Sequence, residues 1–175
     1  MYETMLKAKS ILDDLEIPFW LDCGTLLFMY RDHKPDETDT DFAIYEKDVI
    51  KLIGNLDVFL STGFKLFRIW THPKKGIIEI SLMDGDNKVD IFTKFYKGKN
   101  AYAIATFDQV YIVAKYPKRH FESLAPYSLD GMTYWNIPND VESYLETYYG
   151  KDWRIPKPQW NWTKDAPCID KEFKI

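Results

Sequence analysis

Between Phe64 and Pro117 the chain passes through five runs rich in β-branched and aromatic residues: FKLFRIWTH, GIIEISLMDG, KVDIFTKFYKG, AYAIATF and QVYIVAKYP. Gly, Asn, Asp and Pro separate them. Side chains of this kind suit a pleated, half-buried surface, and this punctuation ends strands. The stretch therefore commits the chain to a meander of strands, with the segment Asp84 to Asn87 as a hairpin turn.

On either side of the meander the pattern changes. Met5, Ala8, Ile11, Leu12 and Leu15 recur every three or four residues and predict an amphipathic helix over residues 2–15. FWLDC reads as a short strand broken at Gly24-Thr25, and LLFMYR as one or two helical turns. TDFAIYE reads as a second strand, with Phe42 and Ile44 on one face and Asp39, Asp41 and Ala43 on the other. Val49, Ile50, Ile53, Leu56 and Leu60 predict one helix, closed by Gly63. NDVESYLETYYG predicts a last helix, capped by Asn139 or Asp140 and closed by Gly150. From about residue 151 a tail carries Pro156, Pro158 and Pro167 with Trp153, Trp160 and Trp162, and is expected to be extended and held by its aromatics. This order implies an α+β fold, a mixed or antiparallel sheet flanked by helices, in a single domain over residues 1–175.

Composition excludes several function classes. With 23 basic and 27 acidic residues the formal charge is −4, a poor match for nonspecific nucleic-acid binding. The two cysteines, Cys23 and Cys168, lie far apart, so no disulfide framework is expected, and Cys23 reads as a small core residue. The first twenty residues scatter their charges, so neither a signal peptide nor a transmembrane helix is expected, and the expected location is the cytoplasm. His33, His72 and His120 have no metal-ligand spacing, and no Ser or Cys sits in a nucleophile elbow.

The acids are the chemical signal. Glu37, Asp39 and Asp41 alternate at the entrance of a strand, which points their side chains the same way, with Cα atoms of successive members about 6.5–7 Å apart. Clustered carboxylates repel, and burying them is costly without a neutralising charge. Mg²⁺, a hard ion that prefers oxygen ligands, would supply one. The alternative is a solvated acidic loop before a strand. Asp90 lies among Val89, Ile91 and Phe92, where a charge needs a partner. If its strand neighbours that of Asp39, three carboxylates converge; the alternative is an ion pair with a nearby Lys or Arg. Gly24-Thr25, at a strand-to-helix corner, can offer backbone N–H groups and a hydroxyl to phosphate. Arg31 suits phosphate as well, or else pairs with the acids or lies on the surface. The late aromatics Tyr144, Tyr148, Tyr149, Trp153 and Trp160 read as core rather than as a ligand platform.

Taken in order, WLDCGTLLFMYR (20–31), PDETDTDFAIY (35–45), the distant VDIF and YLETYYGKDWRIP (144–156) resemble the LicD/fukutin-related family of the nucleotidyltransferase fold. The resemblance implies transfer of a phospho-substituent, of phosphocholine or alditol-phosphate type, from a CDP-activated donor. The implied acceptor is a hydroxyl of a glycan or a cell-surface polymer precursor. It implies Mg²⁺ or Mn²⁺ held by Asp39, Asp41 and Asp90, which also carry catalysis, and substrate binding by Gly24, Thr25, Arg31 and Glu37. The chain departs from the family pattern in four places, one of them a shorter linker between Arg31 and the acids. Glu37 stands where the family usually has aspartate, Asp36 replaces an aromatic, and Thr40 replaces an aliphatic. The chain is also short for the family, so an acceptor-binding appendage is expected to be lacking. Two alternatives remain open within the fold: a nucleotidyltransferase using an NTP, and a non-catalytic nucleotide-binding descendant.

Overall fold

The apolar stripe of the first segment forms helix α1 (Tyr2–Asp14), which buries Met5, Ala8, Ile11 and Leu12. The computed structural model describes residues 1–35, 39–108 and 110–170. After α1 come β1 (Phe19–Leu21), the short helix α2 (Cys23–Leu27), a π-helical turn (Phe28–Asp32) and β2 (Asp39–Tyr45). Two short helices follow, α3 (Val49–Ile53) and α4 (Leu56–Ser61), where the periodicity predicts one. The break falls at Gly54-Asn55, where glycine weakens a helix interior and the Asn55 side-chain amide donates to the Lys51 carbonyl at 2.7 Å. Gly63 closes α4 as expected. It adopts φ +98° and donates to the Leu60 carbonyl, while Phe64 N–H reaches the Phe59 carbonyl and the two Phe rings meet. That is a Schellman ending with its apolar contact.

The meander then forms as β3 (Lys65–His72), β4 (Gly76–Asp84), β5 (Asn87–Lys97), β6 (Asn100–Phe107) and β7 (Val110–Pro117). One seven-stranded sheet holds β1 to β7. Its path is β1-β2-β5-β4-β3, and β6 joins β5 to β7. Among the described residues only the β2–β5 pairing in this sheet is parallel. The sheet is therefore mixed and mostly antiparallel, as expected. Beyond it lie β8 (Leu124–Tyr127) and β9 (Trp135–Pro138), paired as a separate two-stranded ribbon, then α5 (Val141–Tyr149) and α6 (Trp162–Asp165). The ribbon is not foreseen in the sequence: its four-residue strands carry Pro126 and Pro138 and show no usable alternation.

Register separates the two faces of the sheet. One row runs Leu21, Phe42, Ile91, Ile80, Ile69 across five strands. Phe42, Ile91 and Ile80 in it are buried. The adjacent row runs Asp41, Asp90, Ser81, Arg68. Neighbours along a strand point to opposite faces, so the sheet has an apolar face and a polar one. Phe42 meets Phe19 and Trp135 on the apolar side, and Trp135 meets Tyr2 of α1. Thr4 and Lys7 of α1 also bond the Asp84 carboxylate at 3.0 and 2.8 Å. At one end of the polar face lies a cluster of rings: Trp20, Tyr116, Phe121, Tyr144 and Tyr148. The tail adds to it, with Trp160 against Tyr148 and Tyr149, and Ile169 bridged to Ala114 of β7.

Candidate active site

The carboxylates meet because β2 and β5 are parallel neighbours. Asp41 pairs with Asp90 in register, and Asp39 with Lys88. One oxygen from each of Asp39, Asp41 and Asp90 lies within 4.8 Å of the others. Asp41 and Asp90 are buried and Asp39 half-buried. The convergence expected from sequence is present, although 49 residues separate Asp41 from Asp90. Glu37, expected beside them, lies outside the described residues, as does Asp36.

Among the described residues Lys88 pairs with this cluster, the ion pair expected as the alternative for Asp90. Lys88 Nζ lies 2.8 Å from Asp90 and 3.2 Å from Asp39. Burial works against its charge, but Asp90 and Asp39 outweigh burial and hold its pKa above the ordinary lysine range. Asp90 Oδ1 remains buried without a hydrogen-bond partner among the described residues. An orphaned carboxylate oxygen beside two further carboxylates fits a divalent ion. Oxygens sharing one Mg²⁺ at about 2.0–2.1 Å lie at most about 4.2 Å apart, so small side-chain rotations close the cluster.

The strand-to-helix corner supports the acids from behind. Asp22 is extended and Cys23 takes a left-handed φ of +43°, an uncommon conformation for a non-glycine residue. It turns Gly24 N–H onto Asp41 Oδ2 at 3.0 Å. The Thr25 hydroxyl accepts from Asp41 N–H at 2.7 Å, and the residue is fully buried. Both groups were expected to face phosphate. Instead the Gly24 N–H is occupied by the acid cluster, and Thr25 braces β2 without lining the cavity.

Asp22 anchors that corner. Its carboxylate meets Lys94 Nζ at 2.5 Å and accepts the Tyr144 hydroxyl, and neither charged side chain is more than 1% exposed. Burial opposes the Lys94 charge, Asp22 outweighs it, and the pKa is raised. The Tyr116 and Phe121 rings lie 5.1 and 5.5 Å from the ammonium. This charged network lies beneath the site.

Arg31 sits on the π-helical turn. It bonds Asp32 through Nε (2.8 Å) and Nη2 (2.7 Å) and donates to the Trp153 carbonyl at 3.3 Å. Among the described residues Arg31 bonds no member of the triad, yet its side chain lines the same cavity. The hydrogen bond from Arg31 lowers the Asp32 pKa. A depressed folded-state pKa gives stability that is present above the unfolded value of about 3.9 and is lost as pH falls through the folded value. Arg31→Ala is therefore expected to be less stable than the parent at neutral pH, with the difference closing below about pH 3.9. Urea titrations at a series of pH values would check this; a pH-independent difference would contradict it.

The three carboxylates, Lys88, Lys94 and Arg31 open onto one cavity of about 600 Å³, within the range of sites for small ligands. The carboxylates and Lys88 form its polar floor, while Phe28, Trp153 and Trp160 lie in its wall. Trp153 and Tyr149 are buried, as the core reading of the late aromatics expects, and they line the cavity as well.

The LicD/FKTN/FKRP nucleotidyltransferase domain matches residues 16–140, a span that holds the whole acid cluster. The chain belongs to this LicD family. Among curated proteins it is similar to the ribitol-5-phosphate transferase FKTN of Homo sapiens, 27% identical over 174 residues. The same protein of Mus musculus is 29% identical over 174 residues. In both cases the match covers 95% of this chain and 36% of the relative. An uncharacterized protein of Rickettsia typhi is 27% identical over 139 residues, covering 78% of this chain and 40% of that protein. The LicD-family chain thus spans little more than a third of the length of the FKTN relatives it matches. Among its described residues no helix is long and apolar enough to cross a membrane.

Proposed function

We propose that this LicD-family chain transfers a phosphorylated alcohol, of the ribitol-phosphate or phosphocholine type, from a CDP-activated donor to a glycan-type hydroxyl. The observation that carries the reading is the convergence of Asp39, Asp41 and Asp90, with Asp90 Oδ1 left unpartnered among the described residues. Similarity to transferases named for ribitol 5-phosphate supports the class of group moved. Asp39, Asp41 and Asp90 would hold Mg²⁺ or Mn²⁺, which supplies charge neutralisation at the donor diphosphate when bound.

The chain's own residues do the rest. Gly24 N–H holds the Asp41 carboxylate, and the Thr25 hydroxyl holds the Asp41 backbone N–H. Arg31 contacts the donor phosphates from the π-helical turn, and the aromatic wall takes the nucleoside. The acceptor hydroxyl oxygen attacks the phosphorus that carries the alcohol, and the bond from that phosphorus to the CMP oxygen breaks. CMP leaves, and the acceptor proton passes to Asp90. Such a transfer depends on positioning and electrostatic stabilisation more than on covalent help from the protein. Glu37 would add a further carboxylate on the substrate side.

Lys88 occupies the place of a cation among the acids. Lys88→Met is expected to tighten Mn²⁺ binding about three- to tenfold, because no ammonium competes for the carboxylates. Calorimetry reads this directly, and unchanged or weaker binding would contradict the competition.

The functional test is product formation. CDP-ribitol, CDP-glycerol or CDP-choline, incubated with Mg²⁺ and a glycan acceptor, is expected to release CMP. Pyrophosphate release from an NTP, with no CMP from any CDP-alcohol, would replace this reading with nucleotidyl transfer. Binding without turnover of either donor would point to a non-catalytic descendant.

A further inference from the structure

On the β3 side of the polar face lies a second charged group that the resemblance does not assign. Arg68, Ser81, Asp90 and Asp41 stand in one register row across four strands and so share a face. Arg68 lines the same cavity as the triad. Its Nη2 donates to Glu79 Oε1 at 2.9 Å. Its Nε lies 3.2 Å from the same oxygen and 3.1 Å from Ser81 Oγ. Ser81 in turn donates to Glu79 Oε1 at 2.8 Å. The Phe67 and Trp70 rings lie 5.4 and 5.6 Å from the guanidinium. The fork is held on several sides, yet Nη1 has no hydrogen-bond partner among the described residues, and the side chain is 38% exposed.

Fold stability does not account for this arrangement. Glu79 is only 5% exposed, and burial, reinforced by Asp90, pushes its pKa up. An ion pair with one partner open to solvent adds little net stability. What the pair does achieve is orientation: the guanidinium is held through Nε and Nη2, which leaves Nη1 for a further acceptor on a side chain that lines the cavity. Carboxylates that suit a cation thus stand beside a fixed arginine that suits an anion. That juxtaposition matches an anion which carries its own divalent ion, as a diphosphate does.

We propose that Arg68 is a donor-binding residue whose Nη1 edge takes a phosphate oxygen of the nucleoside diphosphate, with Glu79 and Ser81 as the residues that position it. The assignment rests on the CDP-donor reading above. The decisive variant is the double substitution Arg68→Gln/Glu79→Gln, which leaves the net charge of the site unchanged and replaces an ion pair by an amide pair. Inorganic pyrophosphate and CDP, each with Mg²⁺, are titrated calorimetrically against parent and variant, and Mg²⁺ is titrated alone. The variant is expected to keep its Mg²⁺ affinity within about threefold and to lose about tenfold or more in pyrophosphate affinity, the size of a charge-assisted hydrogen bond. Pyrophosphate affinity within about twofold of the parent, or a parent that binds no pyrophosphate, would overturn the assignment. Should the double variant fail to fold, Arg68→Lys, which keeps the charge but lacks the fork, is expected to weaken pyrophosphate about three- to tenfold, and an unchanged affinity would overturn the proposal. CDP serves as the separate control. If CDP binds the parent no more tightly than pyrophosphate does, the nucleotide-donor reading fails, while Arg68 is still judged by pyrophosphate.

Discussion

Lys94→Met is expected to lower the unfolding free energy by about 3–5 kcal/mol, the cost of leaving a buried charge without its partner. The stranded group is Asp22, which is fully buried and faces Lys94 and the Tyr144 hydroxyl. In a chain of this size about 1 kcal/mol corresponds to about 2–4 °C, so the melting temperature should fall by about 6–20 °C. Adding Asp22→Asn should recover much of the loss, because the amide carries no charge to strand and can still accept from Tyr144. The same lesion should reach the site. Asp22 begins the corner that aims Gly24 N–H at Asp41, so divalent-ion affinity should fall along with stability. Parallel denaturation curves and Mn²⁺ titrations check both effects. A Lys94→Met variant within about 1 kcal/mol of the parent would show that Asp22 finds another partner or is neutral when folded.

Asp41→Asn should separate in the opposite sense. Removing one of three mutually repelling carboxylates relieves strain, so stability should hold or rise. The amide oxygen can still accept from Gly24 N–H, which preserves the corner. Turnover should nevertheless fall by at least about 10²–10³-fold, as expected when a main source of charge stabilisation is lost. Metal-dependent donor binding should disappear with it. If Asp41→Asn unfolds the chain, the residue is structural and the catalytic assignment is wrong.

Much of this was legible in the sequence for a definite physical reason. Asp39, Asp41 and Asp90 stand out as charges entering or interrupting apolar strands, and burial makes such charges conspicuous. The meander was legible because its strands are long and cleanly punctuated. Lys88 and Lys94 were not foreseen, since lysine in a strand usually reads as a surface residue. The available signal was period: residues 88, 90, 92 and 94 alternate with the apolar side chains of β5 and share the Asp90 face. Arg68 and Glu79 escaped for a different reason, because their place beside the acids depends on pairings across three strands that no local pattern contains. Asp22 was in view within FWLDC, but its partners Lys94 and Tyr144 lie 72 and 122 residues further along the chain. Thr25 was misread because a hydroxyl at a strand-to-helix corner can serve a ligand or the neighbouring strand, and only the fold decides between them. The tail was foreseen as an aromatic-held segment, but its short helix α6 was not; Asn161 caps it by accepting from Thr163 N–H at 3.0 Å.

The central claim is that the three carboxylates make donor binding depend on a divalent ion. Thermal melting with CDP-ribitol, run with Mg²⁺ and with EDTA, tests it most directly, because a ligand that binds only the folded state raises its apparent stability. The expected result is a rise in melting temperature with CDP-ribitol and Mg²⁺ together, absent with EDTA and absent in Asp41→Asn. An equal rise in EDTA, or one that survives Asp41→Asn unchanged, would contradict the claim.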